Sequence, residues 1–267
     1  MNAIPLVDSE RTTQNRIVNL LHQHCGYQYI GYLQDADNSP LRTEEFQKFL
    51  RAQYPDIQSS ELEKVTAQVE TQIRNVHDAN TLYEANEKIY QFLRYGVNIH
   101  REDGKSATFQ IIDWKTTANN IFSLAEEVTV RRNVKEYRTR RPDVVVYVNG
   151  LALAVIELKK STVSVKDGVR QQIRNNKNDN EICHFFATAQ FLLAGNDSEG
   201  VYYALSSRPR SSICAGKSPQ VRAIPTTMPS QTHIQRNTHG RTFPTNSTVH
   251  FCSCSTPTDC SPLFTIA

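Results

Sequence analysis

Apolar residues along this chain change period repeatedly, and each change marks a change of structure. Ile17, Leu20 and Leu21 share one face of a helix that Asp8 or Ser9 can cap and that ends near His24, before Gly26. Tyr27 to Leu33 then alternates as a strand does, and 35–40 reads as a loop. Phe46, Phe49 and Leu50 predict a helix that stops before Pro55. Ser60-Glu61-Leu62-Glu63 and Thr81-Leu82-Tyr83-Glu84 look like capping boxes opening two more helices. Their apolar faces carry Leu62, Val65, Val69 and Ile73, then Ile89, Phe92 and Leu93. From Val97 the period falls to two. A hairpin is expected around Asp103-Gly104, and a strand over Leu124 to Arg131. A second hairpin pairs Val144 to Val148 with Leu151 to Leu158 through Asn149-Gly150. Both of its strands are almost continuously apolar, so both faces should be covered. Val165 to Asn175 reads as a helix, and His184 to Ala189 and Val201 to Leu205 as strands. The expected fold class is α/β, with a mixed central sheet flanked by helices and a helical insertion at about 43–95.

After Leu205 no useful period survives. Residues 206–267 are rich in Ser, Thr and Pro and carry six basic residues (Arg208, Arg210, Lys217, Arg222, Arg236, Arg241) against one acid, Asp259. The chain as a whole is +3, so the basic excess lies in this tail and residues 1–205, with the other 24 basic and 26 acidic residues, are slightly acidic. The folded part is therefore not a general polyanion binder, and any nucleic-acid contact must come from local clusters. The tail is a low-order, disordered basic segment or an out-of-frame, non-native extension. No run of 18 apolar residues exists, which predicts no membrane span, and the first 16 residues lack the apolar core of a secretion signal. A disulfide framework is not expected for Cys25 and Cys183 in the body.

The candidate chemistry sits at the open end of the second hairpin. Asp143 opens one apolar strand; Glu157 and Lys159 close the other. Magnesium takes hard oxygen ligands and keeps several waters. Asp143, Glu157 and the backbone carbonyl of Leu158 can supply three oxygens, and the ion would polarise a scissile phosphate and acidify a water. Lys159 lies two residues beyond Glu157, so both point to one face about 6.7 Å apart. Metal-dependent phosphodiester hydrolysis needs this set. Register decides whether it forms. A tight turn at Asn149-Gly150 alone would oppose Asp143 to Ile156 and send the carboxylates to opposite faces. The expectation is therefore a three-residue turn with Gly150 left-handed, or a bulge near Asp143. Taken singly, Pro-Asp is usually a strand start and Glu-x-Lys a solvated strand end; their joint placement carries the argument.

Arg131, Arg132, Lys135, Arg138, Arg140 and Arg141, with Tyr137 among them, run up to Asp143 and can bind DNA backbone, with Lys160 extending the rim. No ATP site is expected. Gly216-Lys217-Ser218 ends like a P-loop, but its first glycine position holds Ser211 and Pro219 follows where a helix should begin.

The run from Arg141-Pro142-Asp143 through Asn149-Gly150 to Glu157-Leu158-Lys159 resembles the N-terminal nuclease domain of the restriction (R) subunit of type I restriction–modification enzymes, in the PD-(D/E)xK superfamily. Asn120-Ile121-Phe122, Val128-Thr129-Val130 and the helix before Gly26-Tyr27 extend the resemblance over roughly 5–205. It implies a restriction-endonuclease-like domain in which Asp143, Glu157 and Lys159 are catalytic, with Mg²⁺ (or Mn²⁺) as cofactor. It implies double-stranded DNA as substrate, methyltransferase and specificity subunits as partners, and a bacterial or archaeal cytoplasm. Glu10 matches the acid of the family's first helix. The family's Gln-x-x-x-Tyr motif is met by Gln172, but Asn176 stands where tyrosine is usual; Gln172 and Arg174 remain candidate DNA contacts. Because the translocating ATPase region is missing, the resemblance suggests a truncated module. The alternative is a non-catalytic remnant that binds DNA or partner subunits without cleaving.

Overall fold

The two apolar runs on either side of Asn149-Gly150 form the centre of the molecule. The computed structural model describes residues 10–34, 37–101, 103–132, 139–177, 181–205 and 216–217. The expected caps Asp8 and Ser9, the basic residues Lys135 and Arg138 with Tyr137, and almost all of 206–267 lie outside them.

In chain order, helix α1 (Glu10–Asn19) runs into a π-helical turn, Leu20–His24, and then strand β1 (Gln28–Tyr32). Three helices follow: α2 (Thr43–Gln53), α3 (Ser59–Arg74) and α4 (Ala79–Tyr95). A hairpin of β2 (Val97–His100) and β3 (Ser106–Phe109) leads to β4 (Phe122–Glu126) and the short pair β5 (Val130–Arg131) and β6 (Thr139–Arg140). The central hairpin is β7 (Val144–Val148) and β8 (Leu151–Leu158). Helix α5 (Val165–Lys177), a 3-10 turn (Cys183–Ala187), β9 (Phe191–Asn196), β10 (Gly200–Leu205) and β11 (Gly216–Lys217) complete the order.

The main sheet runs β1-β4-β7-β8-β9-β10-β11. β4, β7 and β8 are antiparallel, whereas β1 with β4 and β8 with β9 are parallel. A parallel pair needs a crossover, and α5 supplies it between β8 and β9. All five residues of β7 are buried, as expected of a strand covered on both faces. One face packs Val145, Tyr147 and Val155 against α2, α3, α4 and the 3-10 turn. The other packs Leu124, Val144, Val146, Ile156 and Leu158 against Val18 of α1. The α/β class, with a mixed sheet flanked by helices, is the one expected.

Four local expectations are corrected. The capping residues lie earlier than expected. Asp78, not Thr81, caps α4: its carboxylate accepts the N–H groups of Asn80 (2.9 Å) and Thr81 (2.8 Å), and Thr81 Oγ1 accepts from Asp78 N. In α3, Glu61 reaches back to accept from the Gln58 N–H at 3.0 Å, so Ser60 already lies inside the helix. The Leu124 to Arg131 strand is broken, because Glu127 takes a positive φ of 51°. Finally, His184 to Ala189 is not a strand: its apolar residues form the buried 3-10 turn, and the strand is Phe191–Asn196.

Candidate active site

The β7–β8 hairpin makes the site by its register. Val148 pairs with Leu151 and Tyr147 with Ala152, so Asn149-Gly150 is a two-residue turn. Both have positive φ, 51° and 78°, as a type I′ turn requires. The pairing then jumps to Val146 with Ala154, leaving Leu153 as an extra residue on β8. Beyond it Val144 opposes Ile156, and the same ladder sets Asp143 opposite Glu157. The one-residue shift the chemistry needs is therefore present. Its device is a tight turn plus a bulge at Leu153, rather than a three-residue turn or a bulge beside Asp143.

The turn itself is locked. Asn149 is buried; its side-chain N–H groups donate to Ile111 O (2.9 Å) and Asn120 Oδ1 (2.8 Å), and its Oδ1 accepts from Ile121 N (2.7 Å). A Cβ on Gly150 would lie 2.5 Å from the Arg42 carbonyl oxygen and 2.8 Å from Phe46 N, so only glycine fits.

At the open end Asp143 and Glu157 are 7% and 2% exposed. The Leu158 N–H donates to Asp143 Oδ2 at 2.6 Å, which fixes that carboxylate across the strands. Lys159 Nζ donates to Glu157 Oε1 (2.7 Å) and to Leu158 O (2.9 Å). The ammonium thus holds two of the oxygens expected to bind a cation. Burial first, then the neighbouring Glu157, pushes the Asp143 carboxyl up to about 8. Burial also raises Glu157, despite Lys159. Burial alone would lower Lys159, but Glu157, Asp143 and Glu10 outweigh it and the net shift is upward. Two desolvated acids facing one lysine hold their protons more tightly than exposed acids do, a perturbation typical of a functional site.

These oxygens are of the hard type that magnesium takes. Among the described residues no group of three or more His, Cys, Asp or Glu is placed to hold a metal. Glu10, at the amino end of α1, acts on Asp143, Glu157 and Lys159 through its charge and completes no such group.

Residues 8–211 match the family model described as the type I restriction enzyme R protein N terminus. The chain belongs to this family. It is 30% identical over 118 residues to the putative type I restriction enzyme MjaIXP endonuclease subunit of Methanocaldococcus jannaschii, covering 42% of this chain and 11% of that protein. It is 24% identical over 196 residues to a type I restriction enzyme endonuclease subunit of Staphylococcus aureus strain MSSA476, and equally to one of strain MW2, covering 73% of this chain and 19% of each relative. The chain thus spans a fifth or less of the curated relatives it matches.

Within this R-protein N-terminal region the structure brings together Asp143, Glu157, Leu158 and Lys159, with Glu10 and Arg174 within electrostatic reach of Glu157. The other expected DNA contacts divide. Arg174 and Lys160 are exposed. Arg140 forms a two-pronged pair with the buried Glu181 (2.6 and 2.7 Å), which Arg132 also engages at 3.2 Å. Arg141 pairs with Glu127 at 2.6 Å. Gln172 is buried, and its amide donates to the carbonyls of Val155 and Leu193, both at 3.2 Å, so it ties α5 to the sheet. Pattern reading missed Glu181, because its partners lie 41 and 49 residues away. It also missed Gly168, whose absent side chain lets α5 approach: a Cβ there would lie 3.2 Å from Ala194 Cβ and 3.6 Å from Lys159 Cγ. A signal existed for Glu126 and Glu127, two adjacent acids interrupting the apolar run from Leu124 to Val128. Among the described residues no helix is long and apolar enough to cross a membrane.

Proposed function

We propose that this chain carries the nuclease site of a type I restriction enzyme R subunit, a Mg²⁺-dependent endonuclease acting on double-stranded DNA in the bacterial or archaeal cytoplasm. The observation that carries the reading is the β7–β8 register, which ends at Val144–Ile156 and so brings Asp143 and Glu157 to the same place, with the Leu158 N–H on Asp143 and Lys159 on Glu157. A restriction-endonuclease site needs two acids and a lysine converging at one strand end. The relatives' description as endonuclease subunits supports the same reaction class.

In this reading Asp143, Glu157 and the Leu158 carbonyl would hold Mg²⁺ or Mn²⁺. A bound divalent ion supplies charge neutralisation at the scissile phosphate and acidifies a water. Burial and the neighbouring Glu157 make the Asp143 carboxyl hold its proton more tightly than usual, so a bound cation would favour its ionised form. The Lys159 ammonium moves off Leu158 O and Glu157 to a phosphate oxygen or the attacking water. Arg174 and Lys160, the exposed cations beside the site, hold backbone phosphates. Target choice and ATP-driven translocation then belong to methyltransferase and specificity subunits and to the rest of an R subunit. A second reading, a module that binds DNA or partners without cutting, is favoured by Asn176 at the usual tyrosine position and by the inward turn of Gln172.

The test is cleavage of plasmid DNA in Mg²⁺ and Mn²⁺, by the chain alone and after assembly with partner subunits. Wild type should cut in at least one setting, and Asp143→Ala and Lys159→Ala should each lower the rate about 100-fold or more. Undiminished cutting by Asp143→Ala, or no cutting in the assembled complex, contradicts the nuclease reading.

A further inference from the structure

Among the described contacts, polar side chains of helix α1 reach the end of β9 and the end of β4, and the second of these touches the site. Thr13 Oγ1 donates to Asp197 Oδ2 (3.0 Å), and Arg16 donates to both oxygens of Asp197 (2.8 and 3.0 Å), just beyond β9. At the end of β4 the buried Glu126 receives Gln14 Nε2 at 2.7 Å, the Tyr29 hydroxyl at 2.9 Å and Arg11 at 3.1 Å. Burial, then the bond to Glu126, pushes the Tyr29 hydroxyl up to about 12, so it stays a donor. Gln14 is 2% exposed and its amide also donates to the main-chain carbonyl of Asp143 at 3.3 Å. The same carbonyl accepts the N–H of Glu127 at 2.9 Å. Glu127 adopts positive φ to present that N–H, and its carboxylate pairs with Arg141.

We infer that Gln14, held by Glu126, is a positioning residue for Asp143, which it fixes through the main-chain carbonyl together with the Glu127 N–H. The inference rests on the metal-site reading of Asp143 and Glu157. A carboxylate serves as an ion ligand only if its backbone is rigid, because a shift of a fraction of an ångström changes the coordination distance. Asp143 sits at a strand end, before the ladder of β7 begins, where rigidity must come from elsewhere. Gln14 supplies it by using one amide for two acceptors, the Glu126 carboxylate and the Asp143 carbonyl. Thr13, its neighbour on the same helix and similarly buried (4%), bonds Asp197 instead.

The test compares Gln14→Met with Thr13→Val in the full chain, by Mn²⁺ titration calorimetry. Both remove one polar anchor of α1. Gln14→Met should weaken Mn²⁺ binding about fivefold or more and Thr13→Val less than about twofold, although both lower the melting temperature. Equal losses of affinity, or none in Gln14→Met, would overturn the assignment. A readout independent of the metal accompanies it: amide exchange at Glu127 and Leu158, whose N–H groups bond the carbonyl and carboxylate of Asp143. Their exchange should quicken in Gln14→Met and not in Thr13→Val, and equal exchange in the two variants overturns the positioning role. Wild type that binds no Mn²⁺ would retire the nuclease reading alone, and the exchange data would then decide on Gln14.

Discussion

The two ends of the β7–β8 hairpin both bury polar side chains, and they treat them in opposite ways. At the turn, each polar group of Asn149 has a partner at 2.7–2.9 Å, and Gly150 leaves room for the Arg42 carbonyl and Phe46. At the open end, two carboxylates share a desolvated space with one ammonium, and their protons are held more tightly than usual. The satisfied end fixes register. The open end instead buries more acid than base, at a cost in stability. Hydrogen-bonded neutral groups mark structure at the turn, and buried acids that outnumber their one base mark the candidate chemistry.

Substitutions should separate the ends. The largest loss is expected for Gly150→Ala, which forces a Cβ into backbone atoms at positive φ. It should cost about 3 kcal/mol in urea denaturation. Asn149→Ala strands the Ile121 N–H and the Ile111 carbonyl and should cost about 2 kcal/mol. The open end should respond with the opposite sign. A carboxyl whose folded value is raised binds its proton more tightly in the native state than in the unfolded chain. Metal-free stability should therefore fall as pH rises from about 4, its unfolded value, through about 8. Asp143→Asn keeps an acceptor for the Leu158 N–H and removes the buried charge. It should stabilise the metal-free protein at pH 8 by about 1 kcal/mol and flatten the fall. A stability curve with the same slope in wild type and variant would break the contrast between the ends. The smallest effect belongs to the rim. Arg174→Ala should lower the salt slope of DNA binding by about 1 with no loss of stability. Arg140→Ala should instead destabilise the fold by about 1 kcal/mol, because Glu181 loses its two-pronged partner.

The same contrast explains what could be read without coordinates. The hairpin, the acids and the lysine were legible because apolar runs and strand-end charges are local signals. So was the need for a register shift. Its place was not, since nothing in Ala152-Leu153-Ala154 distinguishes a bulged residue from a paired one. The caps were displaced because Thr81 and Glu61 look like parts of boxes wherever the box begins; the geometry uses Asp78 and Gln58 ahead of them. Phe191–Asn196 was overlooked because the preceding run, His184 to Ala189, is equally apolar, and only tertiary packing makes that run a 3-10 turn. Arg140 reads as a DNA contact because it lies in the basic run before Asp143, and Gln172 because it matches the family's Gln-x-x-x-Tyr motif. Their partners, Glu181 and the strand carbonyls of Val155 and Leu193, come from other elements of the chain. Residues whose meaning depends on distant partners, Gln14 and Glu126 above all, emerge only from the folded molecule.

The central claim is that Asp143 and Glu157 form one divalent-cation site. Calorimetric titration of Mn²⁺ at pH 8 into wild type and Asp143→Asn, with circular dichroism showing both folded, tests it directly. The account predicts one ion per chain for wild type and binding weakened at least about tenfold in the variant. Equal affinity in the two proteins, or a folded wild type that binds no ion, would contradict it.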